Sequence, residues 1–324
     1  MWRALPLLGL LGGCGGLYSR NPDGGGNGGL GPPLCMRTFA DAISISSPGG
    51  VNAFQDIQAV VFDKDRNLHV LSRSANDESY VDVLGHDFKF VRSYGKGKIG
   101  PTRDLIVATN GLSYLLEDPP PGPGLHPDVV RFDASGVFLG TWPATGGTED
   151  IAQAFAFDGD GLLNIAGLSH LFRYQPNGVF VDQYAVAGKG PGKLLFATGL
   201  TYDPMTGSMW VADLFQNFIE KYTPGSDVQL LQFGGHGTGD GKFDGNEPTG
   251  NTFYGPGRIA IDAQGKIYAN DPFASRIMKF AANGAYLGQF GFGGSIQVGA
   301  IAIDPMTGVL YVARGTSIDA VCPF

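Results

Sequence analysis

Two short patterns recur in register along this chain, and together they dictate a ring. The first is an apolar strand that ends in aspartate: Ala59-Val60-Val61-Phe62-Asp63, Ala154-Phe155-Ala156-Phe157-Asp158, Gly199-Leu200-Thr201-Tyr202-Asp203, Arg258-Ile259-Ala260-Ile261-Asp262 and Ala300-Ile301-Ala302-Ile303-Asp304. Leu105-Ile106-Val107-Ala108-Thr109 takes the same place with threonine for aspartate. Successive anchors lie 46, 49, 45, 59 and 42 residues apart, the long interval reflecting an enlarged loop at 234–256. The second pattern reads aliphatic, any, basic, aromatic: Val129-Val130-Arg131-Phe132, Leu171-Phe172-Arg173-Tyr174, Ile219-Glu220-Lys221-Tyr222 and Ile277-Met278-Lys279-Phe280. Val81-Asp82-Val83-Leu84 and Ile318-Asp319-Ala320-Val321 keep the apolar ends and lose the basic residue.

The cleanest copy, 257–294, shows what repeats. Alternation predicts strands over 258–262, 267–270, 276–281 and 286–290, separated by Gly, Asn and Asp turns, which is an antiparallel meander. One such sheet buries too little to stand alone. Six copies imply radial repetition: an all-β, six-bladed β-propeller of four-stranded antiparallel blades over 36–324. The composition agrees, with 52 Gly, 21 Pro and 43% hydrophobic residues giving many turns and a real core. A net charge of -8 without a Lys/Arg cluster speaks against nucleic-acid binding, which needs a basic face.

The repeats resemble the NHL family, through Trp210-Val211-Ala212-Asp213 followed by Asn217-Phe218-Ile219, and through the segment from Phe233-Gly234-Gly235-His236 to Lys242-Phe243-Asp244. The sixth copy stops just past its third strand at Cys322-Pro323-Phe324, and an open propeller leaves a sheet edge. Residues 37–47 alternate like a strand and are expected to supply the missing outermost strand of the last blade.

The chain begins with Arg3 and a short apolar run ending Leu11-Gly12-Gly13-Cys14. This is too short to span a bilayer and fits a secretory signal. It resembles the bacterial lipobox, which implies a signal peptide at 1–13, lipid on Cys14, and a cell-envelope or extracellular protein held to the membrane by that anchor only. Residues 15–34 hold eight Gly and three Pro, so 14–35 reads as a flexible tether. Cys35 and Cys322 remain, one at each end of the globular part, and an exported chain most simply pairs them. In a blade closed from the front of the chain, Cys322 ends strand three and Cys35 precedes strand four, the proximity a disulfide needs.

Candidate chemistry is sparse. Asp203-Pro204-Met205-Thr206-Gly207 and Asp304-Pro305-Met306-Thr307-Gly308 fall where turns are due. The stretch from Asp240 to Glu247 has the acidic spacing of a calcium loop, but Lys242 stands where an oxygen ligand belongs. Gly188-Lys189-Gly190-Pro191-Gly192-Lys193 is one residue short of a phosphate loop, with Leu194 in place of Ser or Thr. His69, His86, His126, His170 and His236 show no zinc spacing, and no nucleophile elbow occurs. No cofactor or metal is therefore assigned. Reading the loops after strand two and between blades gives a ligand-binding set of Arg73, Glu117, His170, Asp213, Asp271 and Arg314, with the proline-rich loop at 118–126 as a partner contact. The expected function is a monomeric binding module presenting this loop face to a protein or small extracellular ligand, without covalent chemistry. The alternative is a lyase or lactonase-type propeller enzyme with a divalent ion, calcium or zinc, in the central channel.

Overall fold

The computed structural model describes residues 54–118, 126–145, 151–244, 255–292 and 299–321, together with the backbone of Arg37–Thr38. Every regular element among them is a strand. Blade 1 comprises Ile57–Phe62, Leu68–Arg73, Ser79–Leu84 and Phe90–Tyr94, and blade 2 comprises Thr102–Val107, Ser113–Glu117, Asp128–Phe132 and Phe138–Pro143. Blade 3 is Ala154–Phe157, Leu163–Ala166, Leu171–Tyr174 and Phe180–Tyr184, and blade 4 is Ala197–Asp203, Ser208–Asp213, Phe218–Tyr222 and Gln229–Gly234. Blade 5 is Ile259–Ile261, Ile267–Asp271, Arg276–Phe280 and Tyr286–Gly291. Blade 6 takes Ile301–Ile303, Leu310–Arg314 and Ser317–Val321 from the end of the chain and Arg37–Thr38 from its beginning. Arg37 lies opposite Ala320 and Thr38 opposite Asp319. The borrowed closing strand is thus present. Residues 39–47 of the expected strand, the signal and tether, Cys14, Cys35, Cys322 and the proline-rich 119–125 lie outside the described residues.

Both sequence patterns acquire a physical meaning. The aspartate ending each first strand folds its own turn: Asp63 Oδ1 accepts the amides of Asp65 and Asn67 at 2.9 and 2.8 Å, and Asp262 Oδ1 accepts those of Gln264 and Lys266 at 3.0 and 2.8 Å. In blade 2 strand register puts Ala108, not Thr109, at the aspartate position, and Asn110 two residues later does this work, its Oδ1 accepting the Leu112 amide at 3.1 Å. In the third strands, the basic residue covers an aromatic face. Lys221 Nζ lies 4.9 Å from the Trp210 ring centre, Lys279 Nζ 5.1 Å from Tyr268, and Arg131 5.2 Å from Trp142. The aromatic that follows it, Phe132, Tyr174, Tyr222 or Phe280, is fully buried against the preceding blade.

The core is accordingly divided among the blade interfaces. Each of six buried apolar clusters joins two adjacent blades: Leu71 and Val83 with Leu115 and Phe132, for instance, or Trp210 and Ile219 with Ile267 and Phe280. Hairpin glycines let neighbours close in. Gly178 has φ 93° and a Cβ there would sit 2.7 Å from Trp142, while Gly284 has φ 83° and would meet Phe233 at the same distance. The seam between blades 6 and 1 carries a two-pronged ion pair, Arg66 Nε and Nη2 donating to Asp304 at 3.1 and 2.6 Å. Burial alone would push the Asp304 carboxyl up, but Arg66 and the turn amide hold it below the ordinary range.

One position in the third strand is acidic in three blades and apolar in the others. Asp82, Glu220 and Asp319 are at most 2% exposed, whereas Val130, Phe172 and Met278 stand there in blades 2, 3 and 5. Asp319 pairs with Arg314 at 3.0 Å, and Glu220 accepts the Tyr222 hydroxyl at 2.7 Å. Burial pushes the carboxyl of Asp82 up to about 6 and that of Glu220 up to about 7. Between the ordinary carboxylate range and those values the folded chain holds protons that the unfolded chain has lost. Stability should therefore fall as pH rises from about 4 to about 7. Glu220→Gln should raise the melting temperature at pH 8 by roughly 2–4 °C and flatten the pH dependence in thermal unfolding scans.

Candidate functional site

Alternating strand direction gives the ring two unlike faces. Turns between strands one and two and between three and four form one, here the turn face. Loops between strands two and three and between blades form the other, the loop face. The innermost strands line a central cavity of about 790 Å³, with walls mainly of Val, Ile, Ala and Phe. Such apolar walls with few polar groups characterise ligand cavities of this size.

At the loop-face end, a charged group crosses the channel. Arg258, at the entry to blade 5, reaches the opposite side of the ring, where its Nη1 lies 3.2 Å from Asp104 Oδ2 in blade 2. The same nitrogen donates to the Gln153 carbonyl at 3.0 Å, and Nη2 donates to the Arg103 carbonyl at 2.5 Å. Asp104 also accepts the Phe155 amide at 2.8 Å, tying blade 2 to blade 3. Burial pushes its carboxyl up, against the pull of the Arg258 guanidinium. Arg103 extends the network by pairing with Asp118 and donating to Gln153 Oε1 at 3.1 Å. Ala59, Ala154, Gly199 and Ala300 stand at the equivalent place in blades 1, 3, 4 and 6, whereas strand register puts Asp104 there in blade 2, so the pair joins equivalent positions of two opposite blades.

The sequence-predicted residues do not converge. Arg73, Glu117, Asp213, Asp271 and Arg314 each end a second strand, and so they spread around the loop face at equivalent positions. Three of them fix loops. Glu117 accepts the Gly100 amide, and burial raises its carboxyl above the ordinary range. Asp213 is fully buried and accepts the amides of Leu195, Phe196 and Gln216 at 2.7, 3.2 and 3.1 Å. Asp271, equally buried, accepts the Asp244 amide at 3.0 Å and pairs with Arg276 at 3.0 Å. Each acid thus stitches the loop entering its blade to the end of its own second strand. Arg73 pairs with Asp56 at 2.8 Å on the surface, and Arg314 with Asp319. His170 lies in the strand-two loop of blade 3, half-exposed, with Nδ1 3.3 Å from Ser169 Oγ.

No histidine lines the channel. His69 is buried between Asp63 and Tyr94, at 3.3 Å from each, and His126 Nδ1 lies 3.0 Å from Asp128 Oδ1. Among the described residues no three His, Cys, Asp or Glu side chains are grouped as metal ligands.

What sequence reasoning passed over is apolar. Phe196, in the loop before blade 4, and Phe215, in the strand-two loop of that blade, are half-exposed with ring centres 4.4 Å apart. Half-exposed Leu195 and Leu214 flank them, and in the next blade Phe273 is 44% exposed. The signal was present: Asp213-Leu214-Phe215-Gln216-Asn217 and Asp271-Pro272-Phe273-Ala274-Ser275 each carry a phenylalanine in the middle of a turn that begins and ends on polar residues.

Comparison with solved structures places the chain among propellers. It matches virginiamycin B lyase from Staphylococcus aureus over 89% of this chain and 99% of that one, at 11% identity and TM-score 0.60. A protein of unknown function from Bacteroides thetaiotaomicron matches over 84% of this chain and 70% of that one, at 15% identity and TM-score 0.62. A glucose dehydrogenase matches over 84% and 98%, at 13% identity and TM-score 0.58. At these identities the likeness is one of fold. No known family profile matches the chain, and no curated protein sequence matches it.

The geometry separates scaffold from surface among the predicted residues. Asp213→Ala should cost about 2–4 kcal/mol in denaturant unfolding, since several amides lose a buried charged acceptor. Arg73→Ala, whose ion pair is exposed, should change stability by less than about 1 kcal/mol.

Proposed function

We propose that this protein is an exported, lipid-anchored propeller of the NHL type that works as a binding module, docking a protein or extracellular ligand on its loop face. The observation that carries this reading is the aromatic pair Phe196–Phe215, with Phe273 in the equivalent loop of the next blade. Half-exposed aromatics rimmed by polar groups mark interaction surfaces, because they offer large apolar area at low entropic cost. The Arg258–Asp104 pair adds a charged, orienting feature at the channel end of the same face. The likeness of the first residues to a lipobox supports Cys14 as the anchor. A Cys35–Cys322 disulfide belongs to the same reading, since these are the two cysteines left at the ends of the globular part of an exported chain.

The enzymatic alternative draws on the structural neighbours, which include a virginiamycin B lyase and a glucose dehydrogenase. A metal-dependent propeller enzyme needs histidine or acidic ligands converging at one end of the channel. Here the channel's charged groups face each other as an ion pair. Stoichiometric zinc or calcium in the purified protein would favour the enzyme.

The docking reading is tested by quantitative affinity capture from cell-envelope extracts. The full chain carrying Phe215→Ala and Phe273→Ala should lose a specifically retained protein by about tenfold or more, the effect of one or two interface anchors. Met205→Ala, on the opposite face, should retain it. Unchanged retention by the phenylalanine double variant would refute the loop face as the docking surface.

A further inference from the structure

We infer that the turn face of the ring lies against the lipid surface, seated through Met205 and Met306, so that the loop face points away from the membrane. The inference rests on the reading of Cys14 as a lipid anchor.

Strand direction supplies the first support. In each blade the fourth strand runs from the turn face to the loop face, and Arg37–Thr38 is the fourth strand of blade 6. The chain that precedes Arg37 therefore enters the ring on the turn face. Ser317–Val321 runs the opposite way and leaves on that same face. A Gly-rich linker of the length between Cys14 and Arg37 has a root-mean-square span of only roughly 25 Å. An anchor on so short a tether brings the face where it enters closest to the bilayer.

The second support is the chemistry of the turn tips. The residue two positions after the first-strand aspartate is Asp65 in blade 1, Asp160 in blade 3 and Gln264 in blade 5. In blades 4 and 6 it is methionine. Asp203 and Asp304 each accept the amide at this position at 2.9 Å, as Asp63 and Asp262 do at 2.9 and 3.0 Å, although the two methionine turns are one residue longer and close through Gly207 and Gly308. The amide bond uses no side-chain atom of the methionine, and Met205 is 66% and Met306 74% exposed, the Met306 sulfur taking one exposed contact from Arg66 Nη1 at 3.5 Å. Val137, Val179 and Val228 add apolar side chains 58%, 52% and 63% exposed at the turns before the fourth strands. Large, flexible, apolar tips beside exposed Lys64 and Lys89 suit the interfacial zone of a bilayer, where apolar groups enter the headgroup–acyl boundary. Asp65 and Asp87 pair with those lysines at 2.7 and 2.8 Å, so the contact is apolar in origin and does not depend on anionic lipid.

Flotation on phosphatidylcholine vesicles combined with hydroxyl-radical footprinting tests this. For the full lipidated chain, oxidation of Met205 and Met306 should fall roughly fivefold relative to the Cys14→Ser chain free in solution, as expected of side chains within the headgroup boundary. Phe273, on the loop face, should label equally in both. Met209 and Met278, fully buried, serve as internal controls. Flotation with unprotected methionines would overturn the inference while leaving the anchor standing. Failure of the wild-type chain to float would overturn both. Flotation of the Cys14→Ser chain with protected methionines would uphold the face and refute the anchor.

Discussion

A blade of this protein has nothing to bury its faces against except the next blade. Each apolar cluster is shared by two neighbours, so the stability of any one sheet is borrowed from both sides around the ring. A gap at one seam would expose two such faces at once. Closure is the constraint on which everything else depends, and the chain meets it by placing its first strand beside its last. The Arg66–Asp304 pair and the apolar cluster of Val60, Val70, Ala302 and Tyr311 then knit blade 6 to blade 1.

The ring was legible in the sequence because its repeat is enforced by local physics. Aspartate recurs because each turn needs a carboxylate to hold its amides, and the basic–aromatic pair recurs because each third strand packs on an aromatic ring. Blade 2, where Ala108 takes the aspartate position and Asn110 two residues on holds the turn, is the place where the pattern blurs and the structure does not. The strands of blade 5 fell within a residue of their expected ends. The closing strand was legible for a different reason: a sixth copy one strand short leaves an edge that something must cover.

The site was far less legible. Choosing charged residues at the ends of second strands found equivalent positions, but equivalence there serves the scaffold, since Asp213 and Asp271 bond the loops that enter their own blades. Long-range pairing was invisible, because nothing local says that Arg258 reaches across the channel to Asp104. The departures that matter are substitutions against the repeat: an arginine and an aspartate at first-strand entries that are small elsewhere, phenylalanines in the loops after strand two, methionines at turn tips that are polar in other blades. Scaffold residues match the repeat, and surface chemistry lies where it is broken.

Hydrogen exchange on the closing blade tests closure most directly. In the full chain, amides of Ser317–Val321 should exchange as slowly as those of the blade 5 core strand Arg276–Phe280. In a chain beginning after residue 38 they should exchange far faster, and protection should also fall at Leu68–Arg73 across the seam. Equal protection in the two chains would contradict the account, because the ring would then close without its first strand.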